Sequence, residues 1–217
     1  MAHASRIIRA SLIAASAWTS TAYSAEDAGV RPAETAESRP TMQQLMTSGG
    51  LRKPPSSHEL VRARSELQRR FRDPLSHADT AAGARLAAET LLSAATTEED
   101  PSLKWLMLDE ARRLGEAGGL AGLVHRAITL ASAGYEVDAI EMELRCLKQI
   151  PLRGLDARRA ADLASAAEHI ATRAEADQRL DKAVAATQLA YRAWQRAGNK
   201  EAARQAAVRH DALVQGK

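Results

Sequence analysis

Small side chains recur at helical spacing through most of this chain, and that pattern leaves few folds open. Ala84, Ala88, Leu91 and Ala95 fall on one helical face, as do Leu120, Val124, Ala127 and Ala131, and then Ala160, Ala164 and Ala167. Alanine supplies 47 of the 217 residues; with leucine, arginine and glutamate, all good helix formers, it carries most of the sequence after Ser56. Valine, isoleucine and aromatic residues are too few and too scattered to build strands. The expected fold is all-α.

Helix boundaries follow from caps. Ser56-x-x-Glu59 has the form of a capping box ahead of Leu60, Leu67 and Phe71, and Asp73-Pro74 is predicted to end that helix. Ser76-x-x-Asp79 is predicted to open the second. Asp100-Pro101 offers an N-cap followed by proline at the first helical position, ahead of the stripe Leu103, Met107, Ala111 and Leu114. Trp105 and Leu108 lie off that stripe, so burial on two sides is expected. Gly118-Gly119 breaks the chain, and Gly134 is the expected left-handed end of the next helix. Asp138 is predicted to cap a helix with Ile140, Leu144 and Leu147, supported by a Glu141–Arg145 pair and closed by Pro151. Three more helices are expected: one from about Asp156, one from about Asp177 with Leu180, Val184, Thr187, Tyr191 and Trp194, and one from Asn199 to about Val214. Eight helices joined by short loops imply antiparallel neighbours, either as stacked hairpins or as a compact bundle.

Residues 1–24 read as a secretory signal peptide. They contain no acidic side chain, place Arg6 and Arg9 before the uncharged run Ala10 to Trp18, and end on the small-residue cleavage pattern Ala22-Tyr23-Ser24. Their serines, threonines and arginines also suit an organellar transit peptide, which is the alternative localisation. The uncharged run is about half the ~20 apolar residues that a bilayer requires, so no transmembrane anchor is expected after cleavage. Residues 25–55 carry Pro32, Pro40, Gly49-Gly50 and Pro54-Pro55 with no hydrophobic period, and read as a flexible linker with at most a short turn around Met42 to Met46. Residues 56–217 are left as one helical domain, long enough for a sizeable core.

Export changes the charge argument. The chain has 30 basic and 27 acidic residues; residues 1–24 remove two basic and no acidic ones, leaving 28 against 27. A net charge of +1 gives no footprint for nucleic acid. Arg62, Arg64, Arg69, Arg70 and Arg72 share one predicted helix; Glu59, Glu66 and Asp73 partly balance them, so a solvated face is expected, with an anionic partner as the alternative. The single cysteine, Cys146, cannot form an intramolecular disulfide, and its place in Met142-x3-Cys146-x3-Ile150 suits a small buried hydrophobe.

One segment has an echo 80 residues later: Leu114-x2-Ala117-Gly118-x4-Leu123-x3-Ala127 returns as Trp194-x2-Ala197-Gly198-x4-Ala203-x3-Ala207. A large residue, a glycine four later and an alanine nine after that resemble the tetratricopeptide-repeat hairpin, and the offset fits two units of about 40 residues. The run from Glu66-Leu67-x3-Phe71 through Ala87-Ala88-x2-Leu91-Leu92, Pro101-x6-Leu108-x-Glu110-Ala111 and Tyr135-Glu136-Val137-Asp138 is similar to an alanine-rich helical region found in bacterial exported proteins of unknown function. Both resemblances imply a degenerate, repeat-like α-solenoid and bring no catalytic residues.

No catalytic, cofactor-binding or metal-ligating residue is singled out. His3, His58, His77, His125, His169 and His210 form no HExxH or Cys/His zinc spacing. Glu168-His169 is adjacent rather than three apart, so its side chains diverge on a helix. Gly118-Gly119-Leu120-Ala121-Gly122 has neither the strand nor the spacing of a phosphate loop, and Glu98-Glu99-Asp100 suits the start of the Pro101 helix. Trp105, Trp194 and Tyr135 are expected as core fillers rather than interface anchors. The resulting expectation is an exported, non-enzymatic scaffold or interaction module whose partner is another protein of the cell envelope. The alternative is a small helical enzyme or ligand-binding bundle with its site between helices.

Overall fold

The structure, a computed structural model, describes residues 50–216; the predicted signal segment, the Met42 to Met46 turn and most of the predicted linker lie outside the described residues. Among those described there are nine α-helices and no strand: α1 (Ser57–Arg70), α2 (Arg72–Ser76), α3 (Ala81–Thr97), α4 (Pro101–Ala117), α5 (Ala121–Gly134), α6 (Ala139–Gln149), α7 (Ala157–Ala176), α8 (Leu180–Ala197) and α9 (Lys200–Gln215). A short 3₁₀ turn, Leu152–Gly154, precedes α7.

The capping box at Ser56 is present, with the Ser56 N–H donating to Glu59 Oε2 at 2.7 Å. The next boundary departs from expectation. Helix α1 ends at Arg70, and Asp73-Pro74 sits in the first turn of α2 instead of terminating α1. Proline is tolerated there because first-turn N–H groups have no intrahelical acceptor. Ser76 does not cap the following helix; its hydroxyl donates to the Asp73 carbonyl at 2.8 Å, and Thr80 caps α3 by accepting the Gly83 N–H at 3.0 Å. Gly83 has a steric reason to be glycine, since a Cβ would stand 1.7 Å from the His77 carbonyl oxygen.

Left-handed helix ends occur at Gly119 (φ 64°), Gln178 (φ 58°) and Gly198 (φ 78°), not at Gly134. At each the following N–H reaches back to the helix: Leu120 to the Gly115 carbonyl at 2.7 Å, Arg179 to Ala174 at 2.7 Å and Asn199 to Trp194 at 3.2 Å, which are Schellman closures. Asp177 therefore closes α7 rather than opening α8. After Gly134 the chain runs extended, because Arg52 pairs with it: the Arg52 N–H donates to the Gly134 carbonyl at 3.0 Å and the Glu136 N–H to the Arg52 carbonyl at 2.7 Å. Packed structure thus begins upstream of Ser56.

Each helix packs on its successor, and alternate helices also touch: α3 on α5 and α5 on α7, α4 on α6 and α6 on α8. Helix α1 packs on α4. Two apolar cores result, and α5 divides them. Its Leu123, Ala127 and Ala131 join Leu91, Leu92, Met107 and Leu108, while its Ala121, Val124 and Ile128 join Leu147, Leu163 and Ile170. In α7, Ala160, Ala164, Ala167, Ala171 and Ala174 are fully buried, as are Ala183, Ala186, Ala190 and Ala193 of α8. Small side chains at that contact let the two backbones approach closely. The expected two-sided burial of α4 is present at Leu108, which is buried with Leu106 beside Leu103, Met107, Ala111 and Leu114, whereas Trp105 is only half-buried against the same core.

Candidate functional site

Alternation has a geometric consequence. Helices α3, α5 and α7 are separated by one antiparallel helix each, so their first turns come to one edge of the fold. Ala81 and Ala82, then Leu120 to Leu123, then Asp156, Arg158 and Arg159 line an open groove there of about 540 Å³. Arg85, Arg126 and Asp162 complete its charged lining with Glu89. Arg85 pairs with Glu89 at 2.9 Å. Asp156 caps α7 by accepting the Arg159 N–H at 2.8 Å and lies 3.5 Å from the Arg159 guanidinium. Arg126 and Arg158 are exposed and make no ion pair among the described residues. A second open groove, about 390 Å³, lies between α7, α8 and α9 and is lined by Glu168, His169, Thr172, Thr187, Gln205 and Arg209.

Among the described residues, the ionisable side chain with the least access to water is elsewhere. Glu143 of α6 is 1% exposed, and its carboxylate meets His125 Nδ1 of α5 at 2.7 Å and Arg173 Nη1 of α7 at 3.1 Å. The His125 and His169 rings stand edge to face with centroids 5.3 Å apart. Sequence reasoning passed over Glu143, although a cue exists: it lies three residues after Ile140 and four before Leu147, on the apolar stripe of its own helix.

Cys146 is buried, and burial, reinforced by Glu116, pushes its thiol up to about 11 despite the Arg112 guanidinium 3.4 Å from the sulfur. It stays protonated at neutral pH and is no nucleophile. The other sequence features are structural. Gly119 turns between α4 and α5, and a Cβ there would lie 2.5 Å from Leu155 Cδ2. The Tyr135 hydroxyl donates to the Pro101 carbonyl at 2.5 Å while its ring packs edge-on against Trp105, and Trp194 Nε1 donates to Glu168 at 2.7 Å. His210 meets its neighbour Asp211 at 3.1 Å. The expected Glu141–Arg145 pair does not form: Glu141 pairs with Lys182 of α8, next to a two-bond contact of 2.7 Å each between Asp138 and Arg179. Closure of α6 onto α8 thus takes the acid that local spacing assigns to Arg145.

In the basic helix α1, Arg69 pairs with Glu66 at 2.6 Å and Arg70 with Glu98 at 2.7 Å. Glu98 also accepts the amides of Asp100 at 3.0 Å and Glu99 at 3.1 Å; the Asp100 amide first, then Arg70, holds its carboxyl below the usual range. Asp138 is likewise held low by Arg179. A carboxyl with a depressed folded value stabilises the fold above its unfolded value of about 4, and that contribution disappears as pH falls through the folded one. Urea midpoints are therefore expected to fall below about pH 4, and Glu98→Gln is expected to flatten that fall while lowering stability at neutral pH. An unchanged pH profile in Glu98→Gln would remove Glu98 from this account.

Against known proteins, the chain matches no family model, no curated protein and no solved structure. Its own geometry is therefore the sole guide. Among the described residues, no three His, Cys, Asp or Glu side chains converge as a metal-binding group, and no helix is long and apolar enough to cross a membrane.

Proposed function

We propose that the protein is an exported, non-enzymatic interaction module: a tetratricopeptide-like stack of helical hairpins that holds another protein of the cell envelope against its α3–α5–α7 edge. The observation that carries this reading is the groove of about 540 Å³ where those three helices begin. Contacts between alternate helices support a stacked arrangement over a closed bundle, since repeats touch chiefly their neighbours and create extended binding faces. Export rests on the layout of residues 1–24.

The test is affinity capture from an envelope extract with the chain lacking residues 1–24. One stoichiometric protein is expected on the unaltered chain, with recovery reduced at least ~10-fold by Arg126→Glu combined with Arg158→Glu, because rim charges govern encounter and register. No stoichiometric partner, or one indifferent to both reversals, would contradict the proposal.

A further inference from the structure

We propose that helix α1 docks the protein onto an anionic lipid surface through its outward basic face. Charge is unevenly placed along the chain. Residues 51–72 carry seven basic side chains, two before α1 and five from Arg62 to Arg72, against Glu59 and Glu66, a net charge of +5. Residues 73–216 carry 18 basic and 21 acidic side chains, a net charge of −3. The positive charge of the described residues is therefore gathered on the first helix and its flanks, where it complements a negative surface.

Packing decides where this charge points. Helix α1 buries Ala63 and Leu67, with Leu60 half-buried, in the core it shares with α4, so Val61, Arg62, Ser65 and Arg69 fall on its opposite side, and all four are exposed. Arg62, Arg69 and Arg70 line one open groove of about 470 Å³ with Glu66, Glu98 and Asp100. Those acids are engaged within the fold: Glu66 with Arg69 at 2.6 Å, Glu98 with Arg70 at 2.7 Å, and Asp100 with the amides of Ser102 at 2.8 Å and Leu103 at 3.1 Å. Arg62, Arg64 and Arg72 are exposed and make no ion pair among the described residues, which leaves their guanidinium groups for phosphate. Lipid fits this face because apolar side chains stand among the cations: Val61 is 63% exposed and Leu51, next to Arg52 and Lys53, is 51% exposed. Such residues enter the headgroup layer while the charged heads stay at its phosphates. No residue of α1 lines the α3–α5–α7 groove, so the proposal stands apart from the protein contact assigned to that edge.

Residues 1–24 have arginines and an apolar run of their own, so the test uses the chain lacking them, in co-sedimentation with vesicles of phosphatidylcholine and phosphatidylglycerol in equal parts. Saturable binding is expected at low salt, absent from phosphatidylcholine alone and falling steeply as salt rises. Each basic group near such a surface strengthens binding roughly fivefold, so Arg62→Gln, Arg64→Gln and Arg72→Gln together should weaken it about 100-fold. Helicity should not change, since glutamine is close to arginine in helix propensity. The same three-charge loss at Arg192, Lys200 and Arg204, exposed on α8 and α9, should leave binding intact. No binding, equal binding to phosphatidylcholine alone, or the same loss from both triple variants would overturn the proposal. Binding to polyglutamate in preference to vesicles would overturn it too, by assigning the face to an acidic protein.

Discussion

Replacing Arg173 with methionine is expected to lower the unfolding free energy by about 3 kcal/mol, a large share of the stability of one domain. Arg173 donates to Glu143 at 3.1 Å, and Glu143 is 1% exposed, so its carboxylate cannot turn to water when the guanidinium goes. Only the contact with His125 remains. Removing one partner of a buried pair costs about 3–5 kcal/mol, and the lower end applies because Arg173 is itself 35% exposed. Apolar replacement of a whole buried pair is often neutral, so adding Glu143→Leu to Arg173→Met should recover most of the loss. Urea unfolding of both variants measures this. A loss under about 1 kcal/mol for Arg173→Met would show that water reaches the carboxylate and that the three-helix clamp is not buried as described.

Ala167→Leu is expected to cost about 3 kcal/mol, the upper end of the overpacking range. Ala167 is fully buried in α7 along with Ala160, Ala164, Ala171 and Ala174, and α8 contributes Ala183, Ala186, Ala190 and Ala193 with no exposure. Three added carbons have no void to enter, so the helices must separate and Leu163 and Ile170 lose contacts. The same change at exposed Ala212 of α9 should stay within about 0.5 kcal/mol. Thermal unfolding of the two variants separates a loss of close packing from a difference in helix propensity, since leucine follows alanine closely on that scale. Equal effects at both positions would contradict the account of alanine as the residue that sets helix spacing.

These two predictions mark what was legible in the sequence and what was not. Alanine periodicity depends only on local geometry, so α3, α5 and α7 could be read from one face each. Caps made by side chains three residues away were equally local, hence Ser56, Asp100, Asp138, Asp156 and Asn199 were found where expected. Features decided by distant partners were misread. Gly134 has the composition of a left-handed cap, but Arg52 pairs with the following backbone and keeps it extended. Gln178 turns the chain with no glycine to announce it, which shifted the start of α8 away from Asp177.

The echo between Gly118 and Gly198 carried a similar error. The left-handed residue in the first copy is Gly119, packed under Leu155, so the two turns differ by one residue in register. The groove and the clamp were illegible for a stronger reason. Arg85, Arg126 and Arg158 are distant along the chain, as are His125, Glu143 and Arg173, and only the alternation of helices brings each set together.

The most direct test of the central claim, that the α3–α5–α7 edge holds a protein partner, is site-specific photo-crosslinking in intact cells. A photoreactive side chain at position 122 meets no obstruction, because a Cβ on Gly122 has nothing within 4 Å. One discrete protein adduct is predicted at position 122, with none from the same group at Arg64 of α1 or Val208 of α9, which are exposed away from the groove. No adduct at 122, or adducts of equal yield at all three positions, would contradict it.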